Sequence, residues 1–280
     1  MRFRWLMGSV LVAAVATAAL VRADGAGLQT LEMGTGPTVV LVPGLGVSRT
    51  DWLPTVKRLK EHFHCVMVEI PGQGTSPLPD PFSLQAAAAA LDAVVARQKA
   101  DSTIIVGSKV GGLLALFSAS AHPEHQRGVL IIDTPIRSPF QIPDQEREQL
   151  ARAIDENFEQ FSQSAFSKMG RDSAENARLY AMMAAVPPAT IKAYVRGLIS
   201  LDASRELKGL TIPLAAAFTD SVWKAGRSWG ACAKELGYED STRVVPVRIT
   251  RSGPLVMKDQ PDTLAALITS FAARGFATKR

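Results

Sequence analysis

The amino-acid sequence predicts an α/β fold, a mostly parallel central sheet flanked by helices, and three observations carry that prediction. Short apolar runs alternate with longer runs of helical period. Most of the apolar runs end at Gly, Pro or Asp, where a strand-to-helix loop begins. A chain of 280 residues that is 47% hydrophobic also suffices to bury a full core around one such sheet.

In chain order, the first element reads as an export signal. Arg2 and Arg4 form a positive start and Leu6 to Val21 an uncharged, mostly apolar stretch. Val21-Arg22-Ala23 then places small or β-branched residues where a signal peptidase would cut before Asp24. Residues 1–23 are therefore expected to be removed, and the protein to be periplasmic or secreted. The alternative is a membrane anchor at residues 6–21, although that run is shorter than the roughly 20 residues a spanning helix needs. No other segment suggests a membrane.

Six strands follow: Thr38 to Val42, Cys65 to Ile70, Thr103 to Val106, Val129 to Asp133, Ile212 to Phe218 and Val244 to Ile249. Between them Leu53 to His62, Ser83 to Lys99, Val110 to Ala121, Arg227 to Leu236 and Pro261 to Ala273 read as helices. The alanine run Ala86 to Ala90 favours helix and close packing against a neighbour. Residues 136–205 break the alternation, with Glu146, Arg147, Glu148, Asp155, Glu156 and Glu159 mixed among Phe158, Phe161, Met182 and Met183. That segment is expected to be a helical lid inserted into a core made of residues 24–135 and 206–280.

Composition narrows the function. The formal charge is +5, but Arg2, Arg4 and Arg22 lie in the first 22 positions, and the remainder is close to neutral. With no basic cluster on a periodic face and little aromatic content, nucleic acid is not an expected partner. Cys65 and Cys232 fall in separate elements and read as two buried small hydrophobes, not as a disulfide. No paired His, Cys or carboxylate spacing suits zinc and no acidic loop suits calcium. Gly72-x-Gly74 lacks the third glycine and helix start of a dinucleotide site. Neither a metal nor a cofactor is expected, and the oligomeric state is left open.

Val40-Leu41-Val42-Pro43-Gly44-Leu45-Gly46 with Trp52 downstream, Glu69-Ile70-Pro71-Gly72-Gln73-Gly74-Thr75-Ser76, and Ile105-Val106-Gly107-Ser108-Lys109-Val110-Gly111-Gly112 occur in that order. Ile212-Pro213-Leu214, Ser252-Gly253-Pro254 and Gln260-Pro261-Asp262 follow. The ordered set resembles the α/β-hydrolase fold superfamily, of the AB hydrolase-1 type, from about residue 28 to 275. The resemblance implies a nucleophile elbow at Gly107–Gly111, where a tight strand-to-helix turn lifts the central side chain into the site. It also implies an oxyanion hole from the backbone N–H groups of Leu45 and Val110, in a loop kept narrow by Gly44 and Gly46.

Two family positions depart from the pattern. Lys109 stands where the nucleophilic serine belongs, and Pro254, which cannot accept a proton, where the histidine belongs. Asp220 is the natural carry-over for the acid and Asp133 the alternative. His62, His64, His122 and His125 all lie upstream of the final loop and read as structural. The expectation is a non-catalytic binding or accessory protein for a small molecule, a carboxylate-bearing ligand among the candidates. There Lys109 pairs with an anion, snorkels to solvent, or, deprotonated, forms an imine. The alternative is an active ester or amide hydrolase, or a lyase, with relocated groups: Ser108 or Lys109, with Asp133 or Asp220. A third reading is partner binding through the lid.

Overall fold

A computed structural model describes residues 20–22, 27–140, 142–239, 241 and 244–277. Most of the expected export signal lies outside the described residues. One eight-stranded sheet organises the chain. Its strands are β1 (Leu20–Arg22), β2 (Thr30–Met33), β3 (Thr38–Val42), β4 (His64–Val68), β5 (Thr103–Ser108), β6 (Val129–Ile132), β7 (Leu214–Thr219) and β8 (Pro246–Ile249), in the spatial order β1-β2-β4-β3-β5-β6-β7-β8. β1 and β2 run antiparallel and every pairing from β4 to β8 is parallel. Cleavage before Asp24 would therefore remove the edge strand β1.

The helices are α1 (Leu53–Leu59), α2 (Leu84–Val95), α3 (Val110–Ala121), α4 (Asp144–Glu156), α5 (Phe158–Phe166), α6 (Ser173–Ala184), α7 (Pro188–Ile199), α8 (Ser204–Gly209), α9 (Trp229–Leu236), α10 (Val256–Asp259) and α11 (Pro261–Ala277). Local chemistry sets several boundaries. Ser83 and Ser228 cap α2 and α9 by accepting from Ala86 N and Ala231 N, Asp172 caps α6 through Glu175 N, and Gly237 ends α9 with φ +88°.

Strand side chains alternate between two cores, as the pleat requires. Val40, Val42, Val66, Val68 and Ile105 face α2 and α3, while Val39, Leu41, Cys65, Met67, Ile104 and Val106 face α1 and α11. Within the alanine run, Ala87 and Ala88 are buried in the first of these cores. Both cysteines are free and buried, and burial pushes the Cys65 thiol up to about 12.

Residues 136–205 leave the sheet after β6 and form α4 to α7, with α8 starting at the segment's end. Arg137 and Asp202 form an antiparallel bridge, while Ser138 N donates to Leu201 O at 2.8 Å and Ala203 N to Ile136 O at 2.7 Å. The inserted helices enclose their own cluster around Ile154, Met183, Val186, Ile191, Val195 and Ile199.

Candidate functional site

The turn from β5 into α3 places Lys109. Its backbone sits at φ +52°, ψ −120°, a conformation that β-carbon sterics disfavour, and the surroundings hold it there. Lys109 N donates to Ile132 O at 2.8 Å, and Thr134 Oγ1 donates to Lys109 O at 3.2 Å. Gly107 and Gly111 make the turn possible: a Cβ on Gly107 would collide with the Gly111 carbonyl, and one on Gly111 with the carbonyls of Val42 and Pro43. Lys109 thus occupies the elbow tip, in the register the sequence indicated.

Beside it lies a cavity of about 970 Å³. Leu45, Lys109, Val110 and Asp133 form part of its wall from the sheet side, and Phe166, Met169, Met183, Val195 and Leu198 close it from the inserted helices. A Cβ on Gly44 would stand 3.4 Å from the Lys109 Cβ, so Gly44 leaves room for the lysine stem. On Gly46 it would collide with the Met183 sulfur, so this glycine lets the inserted helices close onto the loop.

Leu45 and Val110 both line the cavity, and their backbone N–H groups have no hydrogen-bond acceptor among the described residues. Gln73, which sequence reasoning did not single out, holds this loop. Its Oε1 accepts from Gly46 N at 2.5 Å and its Nε2 donates to Val47 O at 3.4 Å, with the side chain buried. A glutamine between Gly72 and Gly74 has no periodic or charge signature, so only its burial reveals the role.

Lys109 keeps part of its surface open to the cavity, while the protein around it desolvates its ammonium. That desolvation holds its pKa below the ordinary lysine value, and the charge of Asp133 works in the opposite direction. Nζ forms no hydrogen bond or ion pair among the described residues. Asp133, with φ +47° at the end of β6, is buried. Its Oδ1 accepts from Thr219 N at 2.7 Å, and its Oδ2 from Thr219 Oγ1 at 2.6 Å and Ser221 Oγ at 3.1 Å. Burial raises the carboxyl above its ordinary range, and the bonds from Thr219 and Ser221 and the lysine charge oppose that rise. The two groups are electrostatically coupled across the cavity floor.

Other expected residues lie elsewhere. Asp220 does not border the cavity: its Oδ1 accepts from Arg248 Nη2 at 2.8 Å and its Oδ2 from Arg251 N at 2.6 Å. It is committed to the base of the final loop, and Asp133 takes the place next to Lys109. Ser108 is buried at the end of β5 and is not among the residues that line the cavity.

Pro254 is buried in a loop that does not reach the cavity wall. That loop is fastened by Gly253 N donating to Asp259 Oδ2 at 2.7 Å. Arg171 bridges Asp259 (3.2 Å) and Glu175 (2.9 Å), and Arg171 holds the Glu175 carboxyl below its usual range. All four histidines are described and none borders the cavity. Among the described residues, its wall carries no hydroxyl, thiol or imidazole side chain.

An elbow after a parallel strand, a narrow glycine loop with free N–H groups, and helices inserted over the sheet's carboxyl edge define the architecture of an α/β hydrolase. The alpha/beta hydrolase family model matches residues 39–267, and the chain belongs to that family. It is 29% identical over 205 residues to a pimeloyl-(acyl-carrier protein) methyl ester esterase of Pseudoalteromonas atlantica, covering 67% of this chain and 76% of that protein. A protein of the same name from Xanthomonas campestris pv. campestris is 34% identical over 108 residues, 37% of this chain and 39% of that one. A thermophilic esterase from Thermogutta terrifontis shares the fold with a TM-score of 0.69 at 19% identity, covering 92% of this chain and 98% of that one.

Proposed function

We propose that this α/β-hydrolase-family protein binds a small, largely apolar ligand by an anionic or carbonyl oxygen at Lys109, and does not hydrolyse esters by a serine–histidine–acid route. The observation that carries this reading is the cavity wall itself. It offers the Lys109 amine, the charged side chains Asp133, Arg227, Lys234 and Glu235, and the residues Leu45 and Val110 with unpaired backbone N–H groups, but no hydroxyl or imidazole side chain. A triad works as a unit, so an acid at Asp133 without a histidine has nothing to orient. Preorganised N–H donors and a cation, by contrast, suit a carboxylate, and a mostly aliphatic wall suits its hydrocarbon tail.

The test is isothermal titration with octanoate and with 1-octanol, together with turnover of p-nitrophenyl octanoate. The parent should bind the acid at least tenfold more tightly than the alcohol, Lys109→Met should lose that difference, and neither should turn over the ester. Ester turnover by the parent that disappears with Lys109→Met would end the non-catalytic reading.

The names of the relatives favour a second reading, an active esterase or related hydrolase. Here Lys109, its pKa lowered, supplies an amine nucleophile. Borohydride trapping of a keto acid on Lys109, or its acylation by the nitrophenyl ester, supports this reading; absence of both removes it. Export belongs to the proposal as well. No described helix is long and apolar enough to cross a membrane. An intact mass of the exported protein beginning at Asp24 is the expected result.

A further inference from the structure

The end of α3 remote from Lys109 carries a second constellation. α3 is 12 residues long, so its last turn lies about 18 Å from the elbow at 1.5 Å per residue. There Asp92 of α2 meets His122 and His125, the first preceding and the second ending a 3-10 turn at Pro123–His125. One donor atom from each of the three lies within 4.8 Å of the others. Asp92 Oδ1 stands 3.0 Å from His125 Nδ1, and Oδ2 stands 3.9 Å from His122 Nε2. Bonds of about 2.0–2.1 Å in a tetrahedron put neighbouring ligand atoms roughly 3.3 Å apart. The observed spacings bracket that value.

A carboxylate beyond the cluster favours one tautomer of His122. Glu124 Oε1 lies 3.2 Å from His122 Nδ1, the outer carboxylate–histidine arrangement that orients a metal-binding imidazole. In the neutral tautomer that donates Nδ1–H to Glu124, His122 presents Nε2 and its lone pair to the Asp92 carboxylate. Two acceptors then face each other across 3.9 Å, a gap that calls for a cation. Ser118 Oγ donates to Asp92 Oδ1 at 3.1 Å, and the buried Gln126 holds the turn by donating from Nε2 to His122 O at 2.8 Å.

A second, independent observation concerns Glu206 of α8. Its Oε2 is buried without a hydrogen-bond partner, and the residue lines the same cavity, of about 370 Å³, as Asp92 and His122. A buried carboxylate oxygen left unpaired is costly unless a positive charge reaches it.

We propose that Asp92, His122 and His125 bind a divalent transition ion of the zinc type, with Glu206 supplying charge or a fourth ligand, and that the ion clips α2, α3 and α8 together. On binding, the proton of neutral His125 moves from Nδ1 to Nε2, which lies 3.8 Å from Glu124 Oε1, and Nδ1 presents its lone pair to the ion. No oxidation change is involved.

Untagged, chelator-treated full-length protein titrated with ZnCl2 alone should take up one ion with a midpoint below 10 µM, and its thermal midpoint should rise. His122→Gln and Asp92→Asn should each weaken uptake at least tenfold, while Glu32→Gln, at the separate Glu32–His64 pair, should leave it unchanged. In the parent, zinc should also protect His122 and His125 from diethyl pyrocarbonate, read by peptide mass spectrometry, which does not depend on a variant folding. No uptake by the parent, uptake that persists in both variants, or zinc without protection at these two residues overturns the proposal.

Discussion

The two ends of α3 carry different sets of groups. At the Lys109 end the backbone is arranged as in a hydrolase, with the strained elbow, the glycine loop and free N–H groups, but no imidazole is near. At the His122 end two imidazoles and a carboxylate come together. The difference teaches that the scaffold depends on glycines and carbonyl approaches, while the chemistry depends on which side chains those turns present. One can persist after the other has changed.

The comparison breaks most sharply at Gly111. Valine there must displace the carbonyls of Val42 and Pro43, and overpacking of this kind costs about 3 kcal/mol. Urea unfolding should show that loss, while zinc uptake at the far end of α3 survives wherever Gly111→Val still folds. Next comes Gln73→Leu, which leaves Gly46 N and Val47 O without their partner. A cost of about 1–3 kcal/mol and weaker octanoate binding are expected, because the loop bearing Leu45 N is released.

A smaller effect sharpens the electrostatics. Asp133 raises the Lys109 pKa against desolvation, so Asp133→Asn should lower it further, read by NMR titration of reductively methylated protein. The sign for stability follows from linkage. A lysine depressed in the folded state favours folding above its ordinary value and loses that contribution as pH falls through the lowered one. Asp133, raised, contributes at low pH and loses its contribution as pH rises through its folded value. Lys109→Gln should therefore gain on the parent as pH falls from 10.5, the parent's own gain being confined to high pH. The smallest effect is reserved for Asp220→Asn, which should leave octanoate affinity unchanged because Asp220 serves Arg248 and the Arg251 backbone.

Much of this was legible in the chain before any coordinates. The buried strands announce themselves because parallel strands covered on both faces are nearly continuous apolar runs, and Thr38–Val42 has the bounds that pattern indicates. β2 escaped because it is an antiparallel strand with only Thr30 fully buried, leaving no long apolar run to notice. Lys109 could be placed because glycine spacing fixes the elbow. Choosing Asp133 over Asp220 could not be done from spacing, since both follow strands that end on the same edge, and only hydrogen-bond commitments separate them. The Asp92–His122–His125 cluster was equally hidden: its carboxylate comes from a different helix, and no local spacing encodes that meeting.

The pairing of Arg137 with Asp202 gives the inserted helices a further property. Departure and return of the chain lie side by side, so the intervening stretch hangs from the parent architecture like a pendant on a closed clasp. Shortening it to a few residues between those two positions should leave β6 and β7 hydrogen-bonded in register, and exchanging it for a pendant of another shape should reshape the roof above Lys109 without recutting the floor.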